Sequence, residues 1–313
     1  MAHFEGPEKK IEIILAKPQP NLRYKSDGRW RRVVRASGAE ILNCVSTAEL
    51  DGYLLSESSL FVWEDRLLLI TCGRTTPVQA LPEILGFIDR DKIAFLFYER
   101  KNLNFPGEQT TGVEDDFSFL SEFFPCKTMR FGSGDRDHVH LFYYGNGEPA
   151  SLRHTTLRVL MHDIDPSVGQ CFTHTSHGAT NVRDMFAGLS LVNASMVLDT
   201  HFFNPQGYSL NGLFEGGYLT VHVTPEPEAS YTSLETNIVE PDGCRIIDEI
   251  TRIFKPARFC IFLKTGDNNP HGRLNDILPT DLPGFGLEES GHHRLDRHFN
   301  AVFQCYRRND EFT

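Results

Sequence analysis

Between Gly52 and Gly73 the chain sets short apolar runs against polar corners. Gly52-Tyr53-Leu54-Leu55 and Leu60-Phe61-Val62 flank Ser56-Glu57-Ser58-Ser59, and Glu64-Asp65-Arg66 forms a turn before Leu67-Leu68-Leu69-Ile70. Runs this short, rich in apolar and β-branched residues and closed by turn formers, predict strands joined by tight corners. Such a corner can strain the Glu57–Ser58 peptide bond, and Thr71-Cys72-Gly73 puts a thiol close behind it in the sequence. Taken alone, the corner has a plainer reading as a Ser-rich turn. Cys72 likewise reads as a small buried hydrophobe, and both alternatives stay open at this point.

Strand-like segments dominate elsewhere too. Residues 10–15 alternate like an edge or half-buried strand, and residues 93–98 and 138–144 also read as strands. Residues 30–45, 77–88 and 117–124 read as helices. A second set follows, with strands over 157–164, 196–199, 218–223, 230–234, 259–264 and 301–306 and a helix over 242–254. Each half is a run of strands backed by helices, without a residue-level repeat. Residues 266–272 read as an exposed loop and not as a domain linker.

Bulk properties exclude several classes. With 313 residues, 40% of them hydrophobic, the chain can bury a large core. No run approaches a membrane span, and Met1-Ala2-His3-Phe4-Glu5 lacks the basic and apolar regions of a signal peptide, so a cytoplasmic location is expected. A net charge of -11 argues against a nucleic-acid partner. The basic run Arg29-Trp30-Arg31-Arg32-Val33-Val34-Arg35 reads as a solvated helix face with Trp30, Val33 and Val34 turned inward. The seven cysteines, at 44, 72, 126, 171, 244, 260 and 305, are scattered and fit neither a disulfide framework nor a zinc site. His138-x-His140, Cys171 with His174 and His177, and His292-His293 lack the carboxylates that would complete a metal site, so no metal is expected.

Three separated motifs carry a family resemblance. The block Tyr53-Leu54-Leu55-Ser56-Glu57-Ser58-Ser59-Leu60-Phe61-Val62, with Thr71-Cys72-Gly73, resembles the processing site of the eukaryotic-type S-adenosylmethionine decarboxylases. Phe4-Glu5-Gly6-Pro7-Glu8-Lys9 is similar to that family's N-terminal motif. So is the downstream series Phe203-Asn204-Pro205-Gln206-Gly207-Tyr208-Ser209-Leu210-Asn211-Gly212, Val221-His222-Val223-Thr224-Pro225-Glu226, and Tyr231-Thr232-Ser233-Leu234-Glu235-Thr236-Asn237. The resemblance implies an α+β fold, a four-layer α/β/β/α sandwich of two antiparallel sheets, internally duplicated. It also implies one catalytic domain, residues 1–313, self-cleaved into a β chain, 1–57, and an α chain, 58–313.

A decarboxylase needs an electron sink, which no unmodified side chain provides. The resemblance implies a covalent pyruvoyl group derived from Ser58: its hydroxyl attacks the Glu57 carbonyl, the amide becomes an ester, and elimination cuts the chain. His222 would be the processing base and Ser209 the hydroxyl that holds the ester. Cys72 would protonate the substrate carbanion. Phe4 and Phe203 would sandwich the adenine of S-adenosylmethionine, the backbone of Leu55 and Glu57 would read its edge, and Glu226 would accept the ribose hydroxyls. Glu5 belongs near the active site and Glu8 in a buried charge network.

The departures from the family pattern are equally specific. Glu12 and Glu235 match two acids of the putrescine site found in animal members, but the other acidic positions fall at His154 and Arg158, and Ile70 replaces a lysine. Arg158 is therefore expected to pair with Glu12 or Glu235 in place of the diamine, making putrescine activation unnecessary. The resemblance leaves a homodimer and a monomer equally open. Its alternatives are a catalytically inactive regulatory paralogue that activates a partner subunit, or a pyruvoyl decarboxylase of another amino acid. Outside the family, a Cys72/His222 acyl-transfer enzyme is the fallback.

Overall fold

The computed structural model describes residues 4–149, 154–173, 184–239, 243–266, 278 and 282–309. The chain forms two compact units, residues 1–151 and 152–313. In the first, strands β1 (Lys9–Leu15), β2 (Ile41–Ser46), β3 (Asp51–Leu55), β4 (Ser58–Val62), β5 (Arg66–Thr71), β6 (Ile93–Lys101), β7 (Lys127–Phe131) and β8 (Val139–Gly145) make one sheet, ordered β2-β3-β4-β5-β1-β6-β8-β7. In the second, β9 (Thr155–His162), β10 (Val197–Phe202), β11 (Tyr208–Phe214), β12 (Gly217–Thr224), β13 (Tyr231–Thr236), β14 (Arg258–Gly266), β15 (Phe285–Arg294) and β16 (Phe299–Arg308) are ordered β10-β11-β12-β13-β9-β14-β16-β15. Adding eight to every label of the first sheet gives the second. That identity of topology is the internal duplication, and it leaves no trace at residue level. Every strand pair is antiparallel, so the α+β class with two antiparallel sheets is as expected.

One face of the first sheet carries a fully apolar core, in which Ile11, Ile13, Leu67, Leu69 and Leu96 pack with helix residues Trp30, Val33, Val34 and Leu120. The helices are α1 (Arg29–Ala36), α2 (Leu81–Leu85) and α3 (Val113–Phe123). Trp30, Val33 and Val34 stand at i, i+3 and i+4, the spacing that puts them on one helical face. In the second unit, Leu157, Val159, Met161, Ile261 and Leu263 pack with Ile246, Ile247, Ile250 and Phe254 of a long helix (Gly243–Phe254).

Several sequence expectations change. Residues 30–45 are not one helix, because α1 stops at Ala36, Gly38 turns the chain at φ 91°, and β2 follows. A φ in that range favours glycine and ends a helix. The strand at residues 10–15 is central, between β5 and β6, and wholly buried. Its buried charges lie beside opposite ones: Lys10 is 3.6 Å from Glu99 and Glu12 is 2.5 Å from Arg66. Cys260 and Cys305 form a disulfide, contrary to the reading of the scattered cysteines. Their spacing of 45 residues gives no hint of it, but the β14–β16 register sets them directly opposite each other. Cys44, Cys72 and Cys126 are free thiols. His174, His177 and the loop after Gly266 lie outside the described residues, and among the described residues no metal-holding cluster of His, Cys, Asp and Glu occurs. No helix among them is long and apolar enough to cross a membrane.

Candidate active site

The β3–β4 hairpin turns at Ser56 and Glu57, and Ser58 opens β4 opposite both Leu55 and Thr71. Ser58 is 1% exposed and has φ 130°, far outside the left-handed basin near +57° that a non-glycine residue tolerates. Conformations of this kind cost on the order of 1–3 kcal/mol and persist only where the surroundings enforce them. Here the sheet fixes Ser58 on both sides.

Cys72, one residue beyond β5, supplies the rest of the constraint. Its backbone N–H donates to the Glu57 carbonyl at 3.0 Å, and its Sγ–H donates to the same oxygen at 3.3 Å. The carbonyl next to Ser58 thus faces two donors, the arrangement that stabilises an oxyanion. Gly73 follows at φ 61°. A Cβ there would lie 2.7 Å from Glu57 Oε2 and 3.0 Å from the Phe4 ring, so only glycine lets these groups crowd round Cys72. Phe4 remains 38% exposed, an aromatic face open to solvent beside the site.

The electrostatics follow from burial. Burial pushes the Cys72 thiol well above its usual value, the Glu57 and Glu8 carboxylates push the same way, and Lys9 opposes them. Burial raises the Glu57 carboxyl to about 7, again opposed by Lys9. Cys72 is therefore a neutral thiol at pH 7, with its proton available to give.

Glu5 is buried, and its two carboxylate oxygens accept the backbone N–H groups of Asn104 at 2.8 Å and Phe105 at 2.7 Å. Glu5 therefore pins a loop, a role its motif position did not reveal. Glu8 is equally buried.

In the second unit, Ser209 on β11 and His222 on β12 are direct cross-strand partners, 3% and 5% exposed. His222 Nε2 lies 3.1 Å from Thr220 Oγ1, whose hydroxyl donates to Asn211 Oδ1 at 2.9 Å. The Thr220 hydroxyl thus links the His222 ring to Asn211. Thr220 and Asn211 are functional candidates missed in the sequence. The period of two along β12 would have put Thr220 on the face of His222. Phe203 and Glu226 are half-buried near the same strand ends.

Arg158 and Glu235 also face each other across β9 and β13, with Nε 3.1 Å from Oε2, and Tyr218 donates to the other carboxylate oxygen at 2.6 Å. Glu12 is paired with Arg66, which is 3% exposed and opens β5. Arg66 was read as part of a turn. Its place in the period-two series Arg66, Leu68, Ile70, opposite the phase of Leu67 and Leu69, is the signal that it points away from the apolar core.

The adenosylmethionine decarboxylase family model matches residues 1–307. An S-adenosylmethionine decarboxylase proenzyme of Leishmania donovani is 33% identical over 91% of this chain and 78% of that protein. One from Xenopus laevis is 31% identical over 97% of this chain and 93% of that protein. A solved structure, the Trypanosoma brucei AdoMetDC-delta26 monomer, shares the fold with a TM-score of 0.64 and 23% identity, over 80% of this chain and 99% of that one. On the family match across nearly its whole length and these relatives, the chain belongs to the adenosylmethionine decarboxylase family, a family of enzymes.

Proposed function

We propose that this chain cuts itself between Glu57 and Ser58 and then decarboxylates S-adenosylmethionine. The observation that carries the reading is the Glu57 carbonyl, held by both donors of Cys72 beside a serine at φ 130°. Ser58 Oγ forms a bond to the Glu57 carbonyl carbon as its proton passes to a base, assigned to His222. The displaced π electrons collect on the carbonyl oxygen, where the Cys72 N–H and S–H stabilise them. Collapse breaks the C–N bond, the nitrogen takes up a proton, and an ester remains, with Ser209 assigned to hold it. Removal of the Ser58 α-proton expels the Glu57 carboxylate, and water replaces the α-nitrogen, which leaves as ammonia. The products are chains 1–57 and 58–313, the second opening with a pyruvoyl group. Relief of the strained φ favours the forward direction.

When present, the pyruvoyl group derived from Ser58 would supply the electron sink, a ketone conjugated to a carbonyl, that loss of carbon dioxide requires. The chain's own residues do the rest. Cys72, kept protonated by burial, gives its proton to the substrate α-carbon. Phe4 and Phe203 are each assigned to the adenine and Glu226 to the ribose diol, with the backbone of Leu55 and Glu57 assigned to the adenine edge. Glu5 and Glu8 act from behind, the first by fixing a loop and the second by its charge on Cys72. Activity is independent of putrescine, because Glu12 and Glu235 each already have a buried arginine, Arg66 and Arg158. The enzyme works in the cytoplasm. The oxidation state of Cys260 and Cys305 in the isolated protein tests that placement, since a reducing compartment keeps such pairs as thiols and an oxidised pair would count against it.

The testing experiment follows carbon dioxide release from carboxyl-labelled S-adenosylmethionine, with and without putrescine, for the wild-type protein and S58A. The reading expects release from the wild type alone, changed less than about twofold by the diamine. Release from S58A, or none from either protein, would overturn it.

A further inference from the structure

Lys9 closes the N-terminal motif and opens β1, yet no step above uses it. It stands between Thr71 of β5 and Arg100 of β6, 1% exposed. Its ammonium donates to the Gly73 carbonyl at 2.9 Å and to Gln109 Oε1 at 2.7 Å. The first acceptor is the residue after Cys72. The second belongs to the connection from β6 to α3, residues 102–112.

Other contacts join the same two stretches. Thr76 and Thr110 share a hydroxyl hydrogen bond at 2.8 Å, and Thr110 Oγ1 donates to the Arg74 carbonyl at 3.3 Å. Gly73 N–H donates to the Glu5 carbonyl at 2.7 Å, while the Glu5 side chain holds Asn104 and Phe105. Arg100 donates to the Thr111 carbonyl at 2.6 Å and pairs with Asp116 of α3. Within this set, the Lys9 ammonium is the one charged group bonded directly to the residue after the thiol.

We propose that Lys9 is a positioning residue for Cys72: through Gly73 and Gln109 it ties the thiol-bearing segment to the 102–112 connection and holds a positive charge behind the proton donor. This rests on the decarboxylase reading and deepens it. The charge is needed because Glu57 and Glu8 both act on Cys72 from the negative side. The groups facing Lys9 are Arg100 of β6, which disfavours its charge, and Asp116 of α3, Glu5, Cys72 and Glu57 of the β3–β4 turn, which favour it. Burial and Arg100 together lower it to about 8. A lysine lowered in this way keeps its proton below that pH and loses it above, so the ammonium clamp is present at neutral pH and weakens in mild alkali.

The experiment compares full-length wild type, K9M, K9R and Q109L. Cleavage is scored by denaturing mass, and kcat and KM for S-adenosylmethionine are measured from about pH 6 to about pH 9.5. K9M is expected to lose about tenfold or more in kcat with KM changed less than about threefold, and Q109L to lose about threefold in kcat. Wild-type kcat should fall above about pH 8. K9R, whose guanidinium does not titrate there, should restore most of the K9M loss and move that fall to higher pH. Wild-type kcat in both K9M and Q109L, or a K9R profile that falls at the same pH as wild type, would overturn the proposal. If K9M fails to fold, Q109L and the K9R profile decide between the same two results. Should the wild type itself neither cleave nor turn over, the underlying decarboxylase reading is what fails.

Discussion

The two units contain the same hairpin twice, β3–β4 in the first and β11–β12 in the second, and use it in opposite ways. In the second hairpin the turn residue Glu215 has φ 53°, inside the left-handed basin, and Phe214 and Gly217 pair immediately beyond it. In the first, the positive φ falls on Ser58, already within the strand, at 130°. The first hairpin stores strain at its turn, beside Cys72. The second is relaxed at its turn and sets Ser209 opposite His222 at the open end. The two scaffolds have equal topology, and the one we propose to react is the hairpin whose positive φ violates the ordinary backbone rule.

The largest expected effect breaks this comparison outright. S58A should abolish chain cleavage and lower decarboxylation by about 10³-fold or more, because no other residue can become the electron sink. A G216A change in the second hairpin should leave cleavage intact. Next, C72A should cost turnover about 10²-fold or more, the scale of a lost general acid, while the Cys72 backbone N–H still permits slow cleavage. Both are read from the same gel and product assay.

The buried pairs sharpen the comparison at the level of stability. R66M in the first unit and R158M in the second should each destabilise by about 3–5 kcal/mol, because either removes a buried guanidinium from beside a buried carboxylate. Chemical denaturation of the S58A precursor measures both. A smaller effect, of opposite sign, is expected at the hairpin itself. S58G should stabilise the precursor by about 1 kcal/mol, since glycine accepts the φ that strains serine and gives back part of the gain as chain entropy. A destabilised S58G would mean that the corner is not strained.

A further effect is a pH dependence. Glu57 is raised from its ordinary 4.5 to about 7 by burial. A raised carboxyl makes the folded state bind its proton more tightly than the unfolded state. Its contribution is therefore full below about pH 4.5 and is lost as the pH rises through about 7. Melting of S58A across that window should decline more steeply than melting of S58A carrying E57Q as well.

Much of the hairpin was legible in the sequence, because its signals are local: apolar runs, a serine corner, and a turn at Glu64 and Asp65 before β5. The edge strands were not. β15, Phe-Gly-Leu-Glu-Glu-Ser-Gly-His-His-Arg, is mostly exposed and has no buried face to impose alternation, and β7 is polar for the same reason. β2 was merged into a helix because Ile41, Cys44 and Val45 continue a helix-like spacing past Gly38. The site divides along the same line. Ser58, Cys72, Ser209 and His222 sit in contiguous motifs. Other pairings are set by tertiary structure, which residue spacing along the chain does not encode: Thr220 and Asn211 beside His222, Arg66 on Glu12 and Cys305 against Cys260 by strand register, and Gln109 on Lys9 by the connection after β6.

The most direct test of the account is the intact mass of the purified protein under denaturing conditions. Two chains split after Glu57, the larger beginning with a pyruvoyl-type mass at position 58, are what a strained and polarised Glu57–Ser58 bond predicts. A single uncleaved 35.5 kDa chain that persists on prolonged incubation would contradict it.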